Sequence, residues 1–192
     1  MNDLEILDHP PALDAIVQDT ARIGFTMASE RRTGSLLGAL AASKPGGRVL
    51  ELGTGTGIGT SWLLAGMDGA SRLDSVDNDP RAQEVARRHL GSDPRVAFHV
   101  ADGADFLARS TGPSFDLIYA DAWAGKYTHL DAALARLRAG GIYLIDDLLP
   151  QPNWPDGHGD KASALMANLE RRPGFVTTKL AWATGLMIVV RR

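Results

Sequence analysis

The sequence predicts an α/β fold built on an open, mostly parallel sheet, and three observations carry that reading. Short apolar runs such as Val49–Leu52 and Phe115–Ala120 alternate with segments whose apolar residues recur at helical spacing. The first run leads directly into a glycine-dense turn. Several later runs end on an aspartate, and in a parallel sheet such strand ends share one edge, where ligands bind.

The elements follow in order. Residues 1–45 read as an N-terminal helical extension and residues 46–192 as the core of one domain. Pro10-Pro11 opens a helical pattern through Leu13, Ile16 and Val17. A second helix starts at about Ser29, with Leu36, Leu37 and Leu40 on one face. Phe25 to Ser29, between them, either line a substrate mouth or simply pack. Arg48 to Leu64 then reads RVLELGTGTGIGTSWLL: a buried strand, a turn with Gly53, Gly55, Gly57 and Gly59, and a helix through Ile58, Trp62 and Leu63. Glycine lets backbone approach a ligand closely, and the following helix points free N–H groups at the turn. The spacing fails the dinucleotide pattern G-x-G-x-x-G/A, because the sixth position is Ile58 from Gly53 and Thr60 from Gly55. No Lys-Ser/Thr pair follows, which excludes a P-loop.

A second strand, Arg72 to Asp77, ends in Asp77-Asn78-Asp79-Pro80. Asp77 lies 24 residues after Gly53, near the distance at which doubly wound folds place an acid on ribose hydroxyls. Asp79-Pro80 reads as a helix cap for Arg81 to Leu90. Val96 to Val100 is a third strand, followed by Asp102-Gly103-Ala104, a helix start. Phe115 to Ala120 is the fourth strand, ending in Asp121-Ala122-Trp123; Lys126 to Leu137 reads as a helix broken by Gly140-Gly141; Ile142 to Ile145 is the fifth strand, ending in Asp146-Asp147. A loop with Trp154 and His158 precedes a helix through Leu165 and Leu169, and Phe175 to Lys179 and Leu186 to Val190 close the sheet. Alternation of this kind is Rossmann-like and doubly wound.

Bulk properties narrow the function. The chain has 192 residues, 44% of them hydrophobic, a net charge of −3 and no cysteine. That supports one sizeable core and excludes disulfides and thiolate chemistry. It also argues against broad nucleic-acid binding. No signal peptide or membrane-length apolar run is evident, so a cytoplasmic protein without membrane association is expected. The N-terminal helices are compatible with a homodimer.

Asp77, Asp102, Asp121, Asp146 and Asp147 thus converge on one sheet edge, and such a cluster calls for cations or hydrogen bonds. Glu51, Gly53, Gly55 and Gly57 form E-x-G-x-G-x-G, which resembles the first motif of class I S-adenosylmethionine-dependent methyltransferases. The resemblance implies a seven-stranded sheet with one antiparallel strand near the C-terminus. It also implies that S-adenosyl-L-methionine binds to Glu51, Gly53, Thr54, Gly55, Gly57, Asp77, Asn78, Asp102, Gly103, Asp121 and Trp123. A cationic donor without a pyrophosphate suits a carboxylate-lined site.

FDLIYADAWAGKY and GGIYLIDDLL are similar to segments of the cation-dependent O-methyltransferases, the catechol and caffeoyl-coenzyme A type. That resemblance implies Mg²⁺ or Ca²⁺ on Asp121, Asp146 and Asp147, with Asp147 standing where the family carries Asn. It further implies transfer to a small-molecule hydroxyl, with Asp121, Asp146 and Lys126 as catalytic candidates. The family's lysine position is Ala124 here, and Lys126, two residues on, is either a base or a helix cap. Without a metal, Asp146 or His158 is the alternative base; otherwise His158 is a bystander in its loop. Trp154 either lines the acceptor pocket or anchors the loop. The competing readings are an NAD-dependent oxidoreductase, a non-catalytic S-adenosylmethionine-binding module and an RNA or protein methyltransferase.

Overall fold

The structure, a computed structural model, describes residues 5, 9–109, 114–152 and 154–192. Two helices, α1 (Leu13–Arg22) and α2 (Arg31–Ala42), precede the alternating region. There β1 (Arg48–Leu52), α3 (Ile58–Gly66), β2 (Arg72–Asp77), α4 (Pro80–Leu90), β3 (Val96–Val100), α5 (Gly103–Ala108), β4 (Phe115–Ala120), α6 (Leu130–Ala135) and β5 (Leu137–Ile145) follow in turn. Helix α7 (His158–Glu170) leads to the closing strands β6 (Phe175–Leu180) and β7 (Leu186–Arg191).

The strands form one seven-stranded sheet in the order β3-β2-β1-β4-β5-β7-β6. The pairs among β1 to β5 are parallel, and β7 is antiparallel to both β5 and β6. The chain winds outward from β1 to β3, then returns to β4 on the other side of β1. The gap between the ends of β1 and β4 is therefore the topological switch point, where open α/β sheets bind ligands.

Residues alternate between the two faces with the strand period of two. Leu50, Leu52, Ile118, Ala120, Tyr143 and Ile145 pack with Leu107, Leu134, Leu165 and Leu169 of α5, α6 and α7. Val49, Leu117, Tyr119 and Leu144 face the other way, against Ile16, Leu37, Leu63 and Val85 of α1 to α4. Among the described residues no helix is long and apolar enough to cross a membrane.

Two expectations are corrected. The helix read over Lys126 to Leu137 shrinks to Leu130–Ala135, because His129 within that span adopts positive φ (56°), as does Gly125 just before it (89°). The fifth strand begins at Leu137 rather than Ile142. Its register on β4 shifts between Phe115 and Leu117, and Gly140 at φ 73° absorbs the extra residues. Leu137 is wholly buried, so core packing outweighs the helical pattern of its sequence. The caps behave as read: Asp79 accepts from the N–H groups of Arg81 and Ala82, and Asp102 from that of Ala104.

The helical extension is held by close approach. α2 crosses α3 with the Gly66 backbone against Gly38; a Cβ on Gly66 would lie 2.0 Å from the Gly38 carbonyl oxygen. Gly66→Ala should therefore lose about 1–3 kcal/mol to overpacking. Gly69→Ala, where a Cβ meets nothing within 4 Å, should stay within about 0.5 kcal/mol of wild type. Urea unfolding of the two variants checks this.

Strand parity decides the place of Glu51. It faces α3 with Val49 and Tyr119, is fully buried, and accepts hydrogen bonds from the Thr60 and Ser75 hydroxyls. Burial outweighs those bonds and pushes its carboxyl from 4.5 up to about 8. Because the folded value lies above the unfolded one, this group's contribution to stability is intact at acid pH and is lost as pH rises through the window from 4.5 to about 8. Glu51→Gln should remove that dependence. Its stability relative to wild type should grow by up to ~1.4 kcal/mol per pH unit across the window, visible as melting curves that diverge toward pH 8; parallel curves would show Glu51 ionised in the fold.

Candidate active site

The site begins where β1 ends. Gly53, at φ 102°, and Thr54 both donate their N–H groups to the Val76 carbonyl, at 2.9 and 3.2 Å. Gly55 donates to Asp77 Oδ2 at 2.7 Å, and the other Asp77 oxygen accepts the Asp79 N–H at 2.8 Å. The loop is thereby pinned to the end of β2. A Cβ on Gly53 would lie 2.6 Å from the Asp121 carbonyl oxygen, so any larger residue there would push β1 and β4 apart at the switch point.

A hollow of about 390 Å³ opens over this loop, within the range of small-molecule sites. Of the residues expected to hold the cofactor, Gly53, Thr54, Gly55, Asp77, Asn78, Asp102, Gly103, Asp121 and Trp123 line it. Glu51 and Gly57 do not. Glu51 lies beneath the loop, with Thr54 and Ser75 hydroxyls 2.7 Å apart linking it to the wall. Gly57 faces α4, where a Cβ would meet Ala86 at 2.7 Å. Phe25, Met27, Ala28 and Ser29 close the same hollow from the N-terminal segment.

A second hollow of about 340 Å³ lies on the other side of Asp121. Asp121, Lys126, Tyr127, Asp146, Asp147, Trp154 and His158 line it, together with Thr184. The two hollows share Met27, Ala28, Ser29, Asp121, Ala122 and Trp123 as a common wall. The aromatic rings form a partial box: the His158 ring centroid lies 4.4 Å from that of Trp154, 5.0 Å from Tyr127 and 5.7 Å from Trp123.

Acids and hydroxyls interlock in the wall. The buried Tyr119 hydroxyl lies 2.8 Å from Asp146 Oδ2, 3.1 Å from Asp121 Oδ2 and 3.2 Å from Ser29 Oγ. A phenol has one proton to donate, so it cannot serve every neighbour at once. Ser29 Oγ donates to Asp121 Oδ2 at 3.1 Å, and Asp146 Oδ1 accepts from the Thr184 hydroxyl and, at 2.8 Å, from the Asp147 N–H. Burial first, then the charge of Asp146, holds the Asp121 carboxyl well above its usual range, partly offset by Lys126. Burial and Asp146 raise Asp147 as well. Asp147 also holds a positive φ of 58°, a strained conformation that Asp and Asn tolerate best. Burial, and then Lys126 and Lys161, keep His158 below its ordinary value.

The oxygens of Asp121, Asp146 and Asp147 are hard donors of the kind a divalent cation takes, but their arrangement does not fit one. Asp146 is 2% exposed and both its carboxylate oxygens are engaged, by Tyr119 on one side and by Thr184 and the Asp147 N–H on the other. Among the described residues no three His, Cys, Asp or Glu side chains converge at metal-ligand spacing. Lys126 Nζ stands in their midst, 3.8 Å from Asp121 Oδ1 and donating to the Asp146 carbonyl at 3.2 Å.

Two residues of this wall, Tyr119 and Thr184, escaped sequence reasoning as site residues. Thr184 sits in an irregular segment without a motif, and Tyr119 reads as a core aromatic of a strand, while Ser29 was expected only as part of a substrate mouth or of plain packing. His158 gave the weak signal of a histidine beside Trp154 in a Pro/Gly-rich loop; it opens α7 and donates into or accepts from the Tyr127 hydroxyl at 3.0 Å.

Residues 50–148, just over half of the chain, match the family model described as "Methyltransferase domain". A catechol O-methyltransferase of Mycobacterium tuberculosis is 30% identical over 153 residues, 77% of this chain and 69% of its own length. A Mycobacterium ulcerans relative is 31% identical over 117 residues, about half (52%) of its length. The cofactor-bound protein Rv0187 from MTB superimposes with a TM-score of 0.85 at 25% identity, over 99% of this chain and 94% of that one. An O-methyltransferase from Streptomyces achromogenes, involved in tomaymycin synthesis and solved with S-adenosylmethionine, shares the fold at 22% identity (TM-score 0.82; 98% of this chain, 92% of that one). These likenesses set aside the NAD-dependent reading, in agreement with the failed glycine spacing. With its glycine turn, switch-point hollow and 3-2-1-4-5-7-6 sheet, the chain belongs to the class I S-adenosylmethionine-dependent O-methyltransferases.

Proposed function

We propose that this single domain transfers a methyl group to the hydroxyl of a small molecule, with the donor in the hollow over the glycine loop and the acceptor in the hollow beside Asp146 and His158. The observation that carries this reading is the common wall: Ser29, Asp121 and Trp123 border both hollows. Groups held on opposite sides of so thin a partition are close and oriented, which removes much of the barrier to a displacement.

In the donor hollow, which Asp77, Asp102 and Trp123 all line, Asp77 takes the ribose hydroxyls and the other two take the base in this reading. S-adenosylmethionine held there would supply an electrophilic methyl group on a sulfonium, transferred to the acceptor oxygen with S-adenosylhomocysteine as the leaving group. The acceptor's hydroxyl proton must leave as the oxygen attacks. Asp121 is the group for it, because its carboxylate lies in the wall that both hollows share and burial strengthens it as a base. Lys126 lies beside Asp121 and balances the negative charge that develops on the acceptor oxygen. Asp146, held by Tyr119, Thr184 and its neighbouring N–H, acts as a positioning residue. A divalent cation on the three acids has the donor chemistry in its favour and the side-chain arrangement against it, so no step here passes through one.

Calorimetry with S-adenosylhomocysteine should show binding to wild type and, within a few-fold, to Asp121→Asn. The variant should lose roughly 10²-fold or more in methyl transfer across a panel of phenols and aliphatic alcohols. Unchanged transfer would remove Asp121 from the chemistry, and an enzyme that bound NADH but not S-adenosylhomocysteine would overturn the assignment of the hollows.

A further inference from the structure

Lys126 is the residue that the sequence pattern left between two roles, base or helix cap. It is not on a helix. The backbone coils around one carbonyl instead: the N–H groups of Lys126, Tyr127 and Thr128 all donate to the Trp123 oxygen, at 3.1, 2.9 and 3.1 Å. Gly125, at positive φ, donates back to the Thr128 carbonyl at 2.7 Å. This turn sends the lysine side chain inward, where it is 5% exposed.

A buried ammonium persists only among anions, and a cluster of buried carboxyls persists only with positive charge or protons to match. Here each condition meets the other. Nζ donates to the Asp146 carbonyl and faces Asp121 Oδ1, at 3.2 and 3.8 Å, and the Asp147 carboxyl lines the same hollow. A divalent ion placed among these acids would meet Nζ as a like charge. It would also have to share Asp146 with Tyr119 and Thr184.

We propose that Lys126 is the resident cation of the acid cup, standing where a divalent ion would otherwise sit, so that this chain works without one. The proposal rests on the reading of the cup as the acceptor site. Lysine supplies a single charge on a flexible stem and three donors, so it can hold Asp121 and still turn toward an acceptor oxygen. A second consequence follows. Removing the ammonium leaves Asp121 and Asp147 facing each other uncompensated, which turns the cup into a cation site.

The test is an electron paramagnetic resonance titration with Mn²⁺, with and without S-adenosylhomocysteine, paired with thermal melts. Wild type should bind no stoichiometric Mn²⁺, and its melting temperature should not respond to the ion. Lys126→Met should bind one equivalent at least about tenfold more tightly than wild type, as a cup of uncompensated carboxylates does, and be stabilised by it. Asp121→Asn in that background should abolish the gain. One equivalent of Mn²⁺ on wild type, lost in Asp121→Asn, overturns the proposal; so does a folded Lys126→Met that binds no better than wild type. Should Lys126→Met fail to fold, Lys126→Gln takes its place, and the wild-type titration decides on its own. Failure of S-adenosylhomocysteine to bind would instead sink the donor-site reading and leave the Mn²⁺ comparison standing.

Discussion

Buried acids crowd the ends of β4 and β5, and the fold must hold them there without water. Tyr119 is central to how it does so. Its hydroxyl is fully buried, touches Asp121, Asp146 and Ser29, and is itself held neutral, because burial and the neighbouring acids raise it well above the ordinary phenol range. With one phenolic proton for three neighbours, the remaining bonds depend on the hydroxyls of Ser29 and Thr184. The ends of two strands, the N-terminal segment and the loop before β7 are thus tied into one network. Loosening any of them alters the surroundings of Asp121, which faces both hollows.

The parallel core was legible in the sequence. Arg72–Asp77, Val96–Val100 and Phe115–Ala120 have the bounds that their apolar runs suggest, and Asp79 and Asp102 cap the helices that follow. Such runs are bounded by glycines and caps, whose local chemistry needs no tertiary context. The stretch after Trp123 was not legible. Its alanine- and leucine-rich sequence favours a helix, but two positive-φ residues and the burial of Leu137 divide it into a turn, a short helix and a strand. Local propensity cannot foresee that Lys126 turns inward among acids rather than lying on a helix surface.

The site was legible by halves. Strand-end aspartates announce themselves, because a parallel sheet brings its carboxyl ends to one edge. Which alternate residue of a strand faces the ligand is a matter of register: Glu51 belongs to the α3 face, so the motif that points to the donor site includes a residue buried beneath it. Ser29 reaches Asp121 across 92 positions of chain and Thr184 reaches Asp146 across 38, and no local pattern encodes either contact. The N-terminal segment reaches the site as well, since Met27, Ala28 and Ser29 line both hollows.

A crystal structure with S-adenosylhomocysteine bound bears most directly on the partition between the hollows. The product should lie over the Gly53–Gly55 loop with its ribose at Asp77, and its sulfur should face the Ser29–Asp121 wall with the Tyr119 network intact. A product lodged elsewhere, or one that turns Asp121 away from Tyr119 and opens the two hollows into one, would contradict the account.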